Sequence, residues 1–277
     1  MKKIINIIYK ILLLHKFINS PCIKIYKFNT KILLTVVAFN NVDIIKLQYN
    51  NLRNLLKDDF DYIVIDNSNN KKSSEKIFDF CKENKISYAK IPKNPLTGIR
   101  ASGSHGIALN WCYKNIIKKY KPEYFGFLDH DIFPLKQTSI INNLGKGFYG
   151  VIKRRPKNYW YLWPGFSFFE YEKIKNFSIN FFPYHAGDYG EIFLDTGGSN
   201  YVSIYKYIGE ESITEAKSKL INKNTNKEFV KGEDSSQVFE IIDNSWLHLR
   251  QIAWRVESKN KINELEEIIS SAKKFLS

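Results

Sequence analysis

The sequence predicts an α/β protein with a central, mostly parallel sheet and helices on both faces. Apolar runs typical of strands buried on both faces alternate with segments whose apolar residues fall at helical spacing. Between Lys31 and Leu135 this alternation gives the order βαβαβαβ, which predicts parallel strands joined by helical crossovers. The chain of 277 residues, 44% of them apolar, can bury the core of one large domain.

Each element of this pattern has a local signal. The predicted strands are the apolar runs Ile32–Phe39, Tyr62–Ile65, Ile86–Ile91 and Tyr124–Leu128. Asp43 can cap the first helix, and Ser73 begins the second. A loop with several Gly and Ser residues, from Gly98 to Gly106, leads into a third helix that runs through Leu109 to Ile117.

Polar residues follow three of these strands. They are Asn40 and Asn41, Asp66 and Asn67, and Asp129 and Asp131. Since ligands of open α/β sheets bind beyond the carboxyl ends of the strands, we expect a nucleotide-sized crevice at this edge. The sequence has neither a P-loop nor a Gly-rich dinucleotide fingerprint. Phosphates bound here would therefore be held by a metal ion.

The segment Asp129-His130-Asp131 lies where the fourth predicted strand ends. Two carboxylates one residue apart can share a hard divalent cation and leave positions open for phosphate oxygens. Two solvated aspartates in a loop would give the same pattern, so the position after a buried strand favours the metal site. Carboxylate and phosphate oxygens favour Mg²⁺ or Mn²⁺ over zinc.

These motifs resemble the GT-A fold glycosyltransferases, and the layout is closest to their large family-2-like group. The resemblance covers about Lys31–Leu135. It depends on Ala38-Phe39-Asn40, on Asp66 in Val64-Ile65-Asp66-Asn67-Ser68, and on Asp129-His130-Asp131. It implies a hexosyltransferase that takes a sugar from a UDP- or GDP-sugar donor with the help of Mn²⁺ or Mg²⁺. The implied acceptor is a hydroxyl of a glycan or glycolipid.

The resemblance also implies roles for single residues. Asp131 would bind the metal directly and Asp129 would lie nearer the ribose. The base and nucleotide would contact the ends of the first two strands, at Ala38, Asn40, Asp66 and Asn67. The usual Asp-Asp-Gly-Ser after the second strand is Asp66-Asn67-Ser68-Asn69 here, which is a departure from the family pattern.

Later residues are candidates for the remaining roles. His248 suits a third metal ligand or is a core histidine with satisfied hydrogen bonds, and Arg250 is an alternative phosphate contact. Asp195 is the preferred general base for a single displacement with inversion, although it could be only a helix N-cap. The family's Glu-Asp pair is missing at the expected place; the literal pair Glu233-Asp234 comes later, so Asp234 is the rival base.

Two further segments each have two possible roles. The helix start Ser102–Gly106, with Ser104 and His105, could turn its N–H groups toward the sugar diphosphate or be a plain loop and cap. The aromatic run Tyr159–Phe169 could line an acceptor groove or form a core hairpin turned by Pro164-Gly165. The groove candidates are Trp160, Trp163 and Phe166.

The charge pattern indicates whether the protein binds nucleic acid or a membrane surface. The net charge is +14, but it comes from 36 Lys and only 6 Arg, which argues against nucleic-acid binding because Arg makes the planar contacts to bases. No acidic residue precedes Asp43, and the apolar stretch Ile4–Leu14 is too short and interrupted to span a bilayer. We therefore expect residues 1–30 to form a basic amphipathic extension that contacts an anionic membrane or packs on the domain.

Residues 31–277 are expected to form one domain, with a nucleotide-sugar half at 31–135 and an acceptor half at 136–277. Cys22, Cys81 and Cys112 are odd in number and widely spaced, which predicts a reduced cytoplasmic protein without a disulfide framework or a zinc site. The basic N-terminus predicts a peripheral position at the inner membrane face, and the resemblance implies work in surface polysaccharide biosynthesis. Two other classes stay open. They are a nucleotidyltransferase of sugar phosphates, for which the expected phosphate loop is missing, and a non-catalytic membrane scaffold.

Overall fold

The computed structural model describes residues 23–91, 94, 96, 101–232, 234, 238–250 and 260–276. Most of the predicted basic extension, up to Cys22, lies outside the described residues, as does Gly98 of the predicted loop. Among the residues that the structure describes, no helix has the length and apolar character needed to cross a bilayer.

Four parallel strands form the centre of the fold. They are β2 (Ile32–Ala38), β3 (Phe60–Asp66), β4 (Ser87–Lys90) and β5 (Tyr124–Asp129), in the spatial order β4-β3-β2-β5. Every residue of β2 is buried, as expected for a strand covered on both faces. The predicted α/β class with a mostly parallel central sheet is confirmed.

Four further strands extend this sheet to eight strands in the order β1-β4-β3-β2-β5-β8-β7-β11. The added strands are β1 (Ile23–Lys24), β7 (Phe148–Arg155), β8 (Tyr159–Glu170) and β11 (Thr214–Glu215). β11 pairs in parallel with β7, whereas β1 and β8 pair antiparallel with β4 and β5.

Helices cover both faces of the sheet, as predicted. α1 (Val42–Leu55) and α2 (Lys71–Glu83) bury residues such as Ile45 and Ile77 against one face. α3 (Ala101–Cys112) buries residues against the other face and continues through a π-helical turn, Tyr113–Ile117, to Lys118–Tyr120.

The first two helices begin earlier than predicted. The N-cap of α1 is Asn41, whose side chain accepts from the backbone N–H groups of Asp43 and Ile44. The N-cap of α2 is Asn70, which accepts from the N–H of Ser73. Asparagine is among the strongest N-cap residues, so it takes the cap position, and Asp43 stands in the first turn, where its charge favours the helix dipole.

A second, five-stranded antiparallel sheet lies after the motif Asp129–Asp131, in the order β13-β12-β14-β15-β6. Its members are β6 (Ile132–Pro134), β12 (Ser218–Asn222), β13 (Lys227–Glu228), β14 (Val238–Ile242) and β15 (Trp246–His248). The final helix, α6 (Asn260–Leu276), packs Ile268 and Ala272 into the core of this sheet. The two carboxylates therefore stand where the chain passes from one sheet to the other.

The remaining elements are short. They are the 3₁₀ turns Ile141–Asn143 and Glu210–Ser212, α4 (Tyr171–Ile174), the hairpin of β9 (Tyr184–Ala186) and β10 (Ile192–Leu194), and the π-helical turn Tyr201–Tyr205 followed by α5 (Lys206–Ile208).

The expected hairpin turn at Pro164-Gly165 is wrong. β8 runs without a break through both residues, and the chain turns earlier, at residues 156–158. The β7–β8 ladder shifts register between Gly150 and Ile152, opposite this segment. At such a bulge the missing N–H of a proline costs no ladder hydrogen bond, so the strand tolerates Pro164.

Two of the three groove candidates belong to the core. The Trp160 ring packs against Tyr205 at 5.1 Å, and the Phe166 ring packs against Trp246 at 5.1 Å. Both residues are buried, so neither can line an open acceptor groove. Trp163 is half-buried and keeps part of its surface accessible.

The last residues of the predicted N-terminal extension are bonded to the domain. Ile23 and Lys24 pair with β4, and the Tyr26 N–H donates to Ser87 Oγ at 3.1 Å. The N–H groups of Asn29 and Thr30 donate to Asp61 Oδ2 at 2.7 and 2.8 Å. Residues 23–30 of the predicted extension are therefore bonded to the domain.

Candidate active site

A buried glutamine holds the loop that carries the two carboxylates. Gln48 Nε2 donates to the backbone oxygens of Asp129 (2.7 Å) and Ile132 (2.6 Å). Gln48 Oε1 accepts from the Tyr62 hydroxyl at 2.6 Å. Because both polar atoms of the Gln48 side chain are hydrogen-bonded in this network, Gln48 holds the loop in one position. No local sequence pattern marks Gln48, since a glutamine in a helix is ordinarily a surface residue.

The second sheet brings His248 to the same loop. β15 pairs with β6 so that His248 stands opposite Ile132, directly after Asp131. The Leu249 N–H donates to the backbone oxygen of Asp131 at 3.0 Å and extends this pairing. A residue from the half predicted to bind the acceptor thus reaches the end of β5.

The structure brings Asp129, Asp131 and His248 together, and their predicted role as metal ligands stays a prediction. One ligand atom of each lies within 4.8 Å of those of the other two. His248 Nε2 is 3.7 Å from Asp131 Oδ1. The side chains of Asp131 and His248 are almost wholly buried, whereas Asp129 keeps about a quarter of its side chain exposed. Two carboxylates and one imidazole are a donor set that fits Mn²⁺ or Mg²⁺.

The electrostatics of this cluster favour a bound positive charge. Burial raises the pKa of Asp131 above its ordinary value, because a carboxylate without a counter-charge is costly away from water. Burial alone would lower the pKa of His248, but Asp131 and Glu240 raise it above its ordinary value. A cation placed between these groups relieves the repulsion between the carboxylates.

His105 extends the cluster toward the third helix. It lies in the first turns of α3, and its Nε2 is 3.5 Å from Asp129 Oδ1. The predicted helix start at Ser102–Gly106 therefore lies inside α3, which begins at Ala101. Its predicted contact with a sugar diphosphate stays a prediction, and the proximity of His105 to Asp129 supports it.

Asparagine side chains connect the loops that follow β3 and β4 with α3. Asn67 Nδ2 donates to Ser104 Oγ at 2.9 Å, and Asn94 Nδ2 donates to Asn67 Oδ1 at 3.0 Å. The backbone oxygen of Ala38 accepts from the Asn67 N–H at 2.9 Å. Asn94 follows β4 and was not recognised from the sequence, where it looks like one of many asparagines in loops. The network fixes the edge beside which a nucleotide would lie.

Asn40 connects the loops that follow β2 and β3. Its φ of 54° is left-handed, a conformation that Asn tolerates better than most residues. The Asn40 N–H donates to Ser68 Oγ at 2.8 Å, and its Nδ2 donates to Asn69 Oδ1 at 2.6 Å. The predicted nucleotide contact of Asn40 stays a prediction.

Asp66 is fully engaged by protein groups. Its carboxylate accepts from the Ser68 N–H at 2.8 Å and the Tyr88 hydroxyl at 2.7 Å, and also from Ser74 Oγ. Lys90 Nζ stands 3.3 Å from Asp66 Oδ2. Burial would raise the pKa of Asp66, but Lys90 and these hydrogen bonds lower it. Asp66 is wholly buried here and shapes the loop after β3, so its direct contact with a base stays a prediction.

Asp195 lies at the end of β10, in a turn that contacts other parts of the site. Its Oδ1 accepts from the Thr196 N–H at 2.7 Å. Its backbone N–H donates to the Tyr161 hydroxyl at 3.3 Å. Thr196 Oγ1 donates to the Ser102 backbone oxygen at 3.1 Å, which connects the turn to the start of α3. The next helical residue is Asn200, so Asp195 is not the N-cap of that segment.

The Asp195 turn also reaches the segment beside the metal candidates. A Cβ added to Gly197 would lie 2.8 Å from Pro164 Cγ, so the Gly197 backbone packs closely against the Pro164 ring. Pro164 stands between Trp163 and Gly165, and a Cβ on Gly165 would lie 2.6 Å from Asp129 Oδ2. The turn of the candidate base and the carboxylate cluster thus flank the same short stretch of β8.

Two other predicted residues stay predictions. Asp234 is exposed, between β13 and β14, while its neighbour Glu233 lies outside the described residues. Arg250 has a left-handed backbone, with φ of 56°, and follows Leu249, whose N–H is bonded to Asp131. Its backbone is therefore close to the cluster.

A substitution at Gly165 tests the close packing of Trp163 and Asp129 around this glycine. A Cβ there would lie 2.2 Å from Trp163 Cζ2 as well as 2.6 Å from Asp129 Oδ2, so Gly165→Ala must displace one or both side chains. We expect Mn²⁺ affinity to fall on the order of tenfold, as for other changes that disturb a ligand's support. Titration of MnCl₂ followed by electron paramagnetic resonance measures this. The control is Gly145→Ala, where an added Cβ meets nothing within 4 Å, and equal affinity in the two variants would contradict the prediction.

Comparisons with known proteins return similarities to solved glycosyltransferases. No protein-family model matches the chain. No curated protein sequence matches it significantly. Mannosyltransferase PcManGT from Pyrobaculum calidifontis, solved in complex with GDP-Man and Mn²⁺, is 14% identical over 62% of this chain and 53% of that chain, with a TM-score of 0.38.

Two further solved structures are similar over comparable stretches. TarS of S. aureus is 15% identical over 54% of this chain and 30% of that chain, with a TM-score of 0.37. The mannosyltransferase Ktr4p from S. cerevisiae is 10% identical over 63% of this chain and 67% of that chain, with a TM-score of 0.34. The chain thus matches 53% of the length of PcManGT and 30% of the length of TarS.

Proposed function

We propose that this chain is a metal-dependent glycosyltransferase that moves a sugar from a nucleotide-sugar donor to a hydroxyl of a glycan or glycolipid acceptor. One observation carries the proposal. Asp129, Asp131 and His248 converge at the carboxyl end of the parallel strands, beside the loops after β2 and β3. This is the edge at which open α/β sheets bind nucleotides.

Asp131 and His248, together with Asp129, would hold Mn²⁺ or Mg²⁺. When bound, the cation supplies Lewis-acid stabilisation of the negative charge on the departing diphosphate. The three side chains supply this site with two negative charges and one neutral nitrogen. The loop that carries Asp129 and Asp131 is fixed by Gln48, so these two side chains need little reorganisation when the ligand enters.

The donor would lie along the edge formed by the loops after β2, β3 and β4. His105 stands beside Asp129 and is available to contact a phosphate or ribose oxygen. The polar groups of Asn40 and Asn67 belong to the two loops nearest the expected nucleotide base. A UDP- or GDP-sugar is the proposed donor.

Asp195 is the proposed general base. It would accept the proton of the acceptor hydroxyl as the bond from that oxygen to the anomeric carbon forms and the bond to the diphosphate breaks. Such a single displacement inverts the anomeric carbon. The Thr196 N–H holds one carboxylate oxygen of Asp195 and leaves the other to receive the proton.

Exposed aromatic side chains near Asp195 suit a sugar acceptor. Phe193, two residues before Asp195, is 45% exposed, and its ring lies 5.1 Å from that of His185 across the β9–β10 hairpin. Trp163 offers a further partly exposed ring beside Pro164. Aromatic rings present apolar faces to the C–H groups of a sugar, so these residues are the proposed acceptor contacts.

The proposed setting is the inner face of the cytoplasmic membrane, where the enzyme would act on a precursor of a surface polysaccharide or glycolipid. The support is the sequence of residues 1–22, which contains Lys2, Lys3, Lys10 and Lys16 and no acidic residue. Each lysine near an anionic surface contributes about 1 kcal/mol of attraction at low screening.

Removal of Met1–Cys22 tests this setting. We expect binding to vesicles that contain phosphatidylglycerol to weaken by at least about tenfold, because most of the basic cluster is lost. Binding is measured by cosedimentation, and neutral phosphatidylcholine vesicles are the control. The deletion stops before Ile23 because the following residues are bonded to the domain. Equal binding of the full and shortened chains would support a packed helix instead.

A thermal-shift screen tests the proposed function. The full chain is heated with UDP-, GDP-, CMP- and dTDP-sugars, each with MnCl₂ and with EDTA. A ligand that binds only the folded state raises the melting temperature with its occupancy. We expect a metal-dependent rise with one nucleotide class. No rise with any donor, in a sample that melts cooperatively, would contradict the proposal and support a non-catalytic scaffold.

A further inference from the structure

A second carboxylate faces the candidate metal ligand His248 from the side away from Asp131. Glu240 lies on β14 directly opposite His248 on β15, and its Oε2 is 2.7 Å from His248 Nδ1. The two nitrogens of the imidazole thus have different neighbours, since Nε2 is 3.7 Å from Asp131 Oδ1. Glu240 itself is not among the three residues whose ligand atoms cluster.

Glu240 is held firmly in this position. Only 5% of its side chain is exposed, and Lys153 Nζ lies 3.6 Å from its other oxygen, Oε1. Burial of a carboxylate is costly unless it is paired and hydrogen-bonded, and these groups satisfy that requirement.

An aromatic ring packs beside the His248 ring, and a lysine lies next to that aromatic ring. Lys153 Nζ stands 4.8 Å from the centre of the Trp163 ring. The Trp163 ring lies 5.0 Å from that of His248. Lys153 therefore contacts both Glu240 and Trp163, and these two side chains restrict the rotation of the imidazole.

A carboxylate can only accept a hydrogen bond from the imidazole, so the short contact requires a proton on His248 Nδ1. In a neutral imidazole this leaves the lone pair on Nε2, the nitrogen that faces Asp131. A histidine that binds a metal through one nitrogen commonly donates its other N–H to a carboxylate, which fixes the tautomer and makes the ligand more basic.

We propose that Glu240 is a positioning residue that fixes the tautomer and orientation of His248 so that Nε2 faces the divalent cation. This inference rests on the proposed metal site. It assigns to the second sheet an active role, because the β14–β15 hairpin carries both the imidazole ligand and the carboxylate that orients it.

The test measures Mn²⁺ affinity without any nucleotide or turnover. MnCl₂ is titrated into the full chain and free Mn²⁺ is followed by electron paramagnetic resonance. We expect Glu240→Leu to weaken affinity by about 10- to 100-fold. Glu240→Gln, whose amide oxygen can still accept from Nδ1, should restore most of the affinity. Glu215→Leu is the matched control, because it also removes a carboxylate paired with a basic side chain, Arg154, at 2.6 Å.

A double-mutant cycle separates positioning from general loss of structure. Glu240→Leu should have no further effect on Mn²⁺ affinity in a His248→Ala background, since the ligand that it orients is gone. An equal loss with and without His248 would overturn the proposal in favour of a structural role. Equal affinity of wild type and Glu240→Leu would overturn it as well, while the metal site stands. Failure of the wild type to bind Mn²⁺ would instead overturn the metal site, and this inference with it.

Discussion

Replacement of Asp131 by Asn is expected to reduce sugar transfer by about 100- to 1000-fold, the usual loss when one electrostatic contact to a transition state is removed. The substitution keeps the shape of the side chain but removes the negative charge that would hold the cation. Asp131 is buried beside His248 and Asp129, so water cannot replace the lost charge easily. Initial rates are measured with saturating donor, acceptor and MnCl₂.

The same variant should fold normally. Burial raises the pKa of Asp131, so without metal the neutral amide should not lower the melting temperature. The control is Asp188→Asn, which removes a charge of the same kind from an exposed position. Near-normal turnover of Asp131→Asn at saturating Mn²⁺ would remove Asp131 from the metal site.

Asp195→Asn should lower kcat by about 10²- to 10⁴-fold, the range of general base catalysis, while donor affinity changes little. A base acts on the acceptor hydroxyl in the transition state, so its loss appears in kcat and not in the binding of the donor. The amide oxygen of Asn can still accept from the Thr196 N–H, so the turn is preserved.

Two measurements check this prediction. Steady-state rates give kcat, and the donor-dependent thermal shift gives the affinity for the nucleotide sugar. Asp188→Asn again serves as the control. If turnover is unchanged in Asp195→Asn, the base is Asp234 or another residue, and Asp234→Asn is the next variant.

The parallel centre of the fold was predictable because its signals are local. β2, β3 and β5 are continuous apolar runs, and the helices between them show apolar residues at helical spacing. The first two helices begin earlier than the sequence predicts, because several residues near each start can cap. Asn41 and Asn70 take the caps, and the side chains of Asp43 and Ser73 are left in the first turns.

The second sheet could not be predicted in the same way. β6, β12, β13 and β15 are short, and their pairing joins residues far apart in the chain, such as His248 and Ile132. The aromatic segment of β8 was misjudged for a related reason. Pro164-Gly165 is typical of a turn locally, but β8 pairs with β7 both before these residues, at Leu162, and after them, at Ser167, so the strand continues through them at a register shift.

The candidate site was predictable only in part. Asp129 and Asp131 follow a recognisable strand, so their position could be inferred. His248 was uncertain because a single histidine in an apolar run has no local mark of function. No local sequence pattern marks Gln48 or Glu240, since each acts on a partner residue that lies beside it only in the folded chain.

The most direct test of the metal-dependent donor site is a crystal structure with MnCl₂ and the nucleotide that gives the largest thermal shift. Data collected near the manganese absorption edge locate the ion by its anomalous signal. We expect one peak bonded to Asp131 and to His248 Nε2, with a diphosphate oxygen completing its coordination. A nucleotide bound at this edge without a manganese peak beside Asp131, or a peak bonded to other residues, would contradict the proposed site.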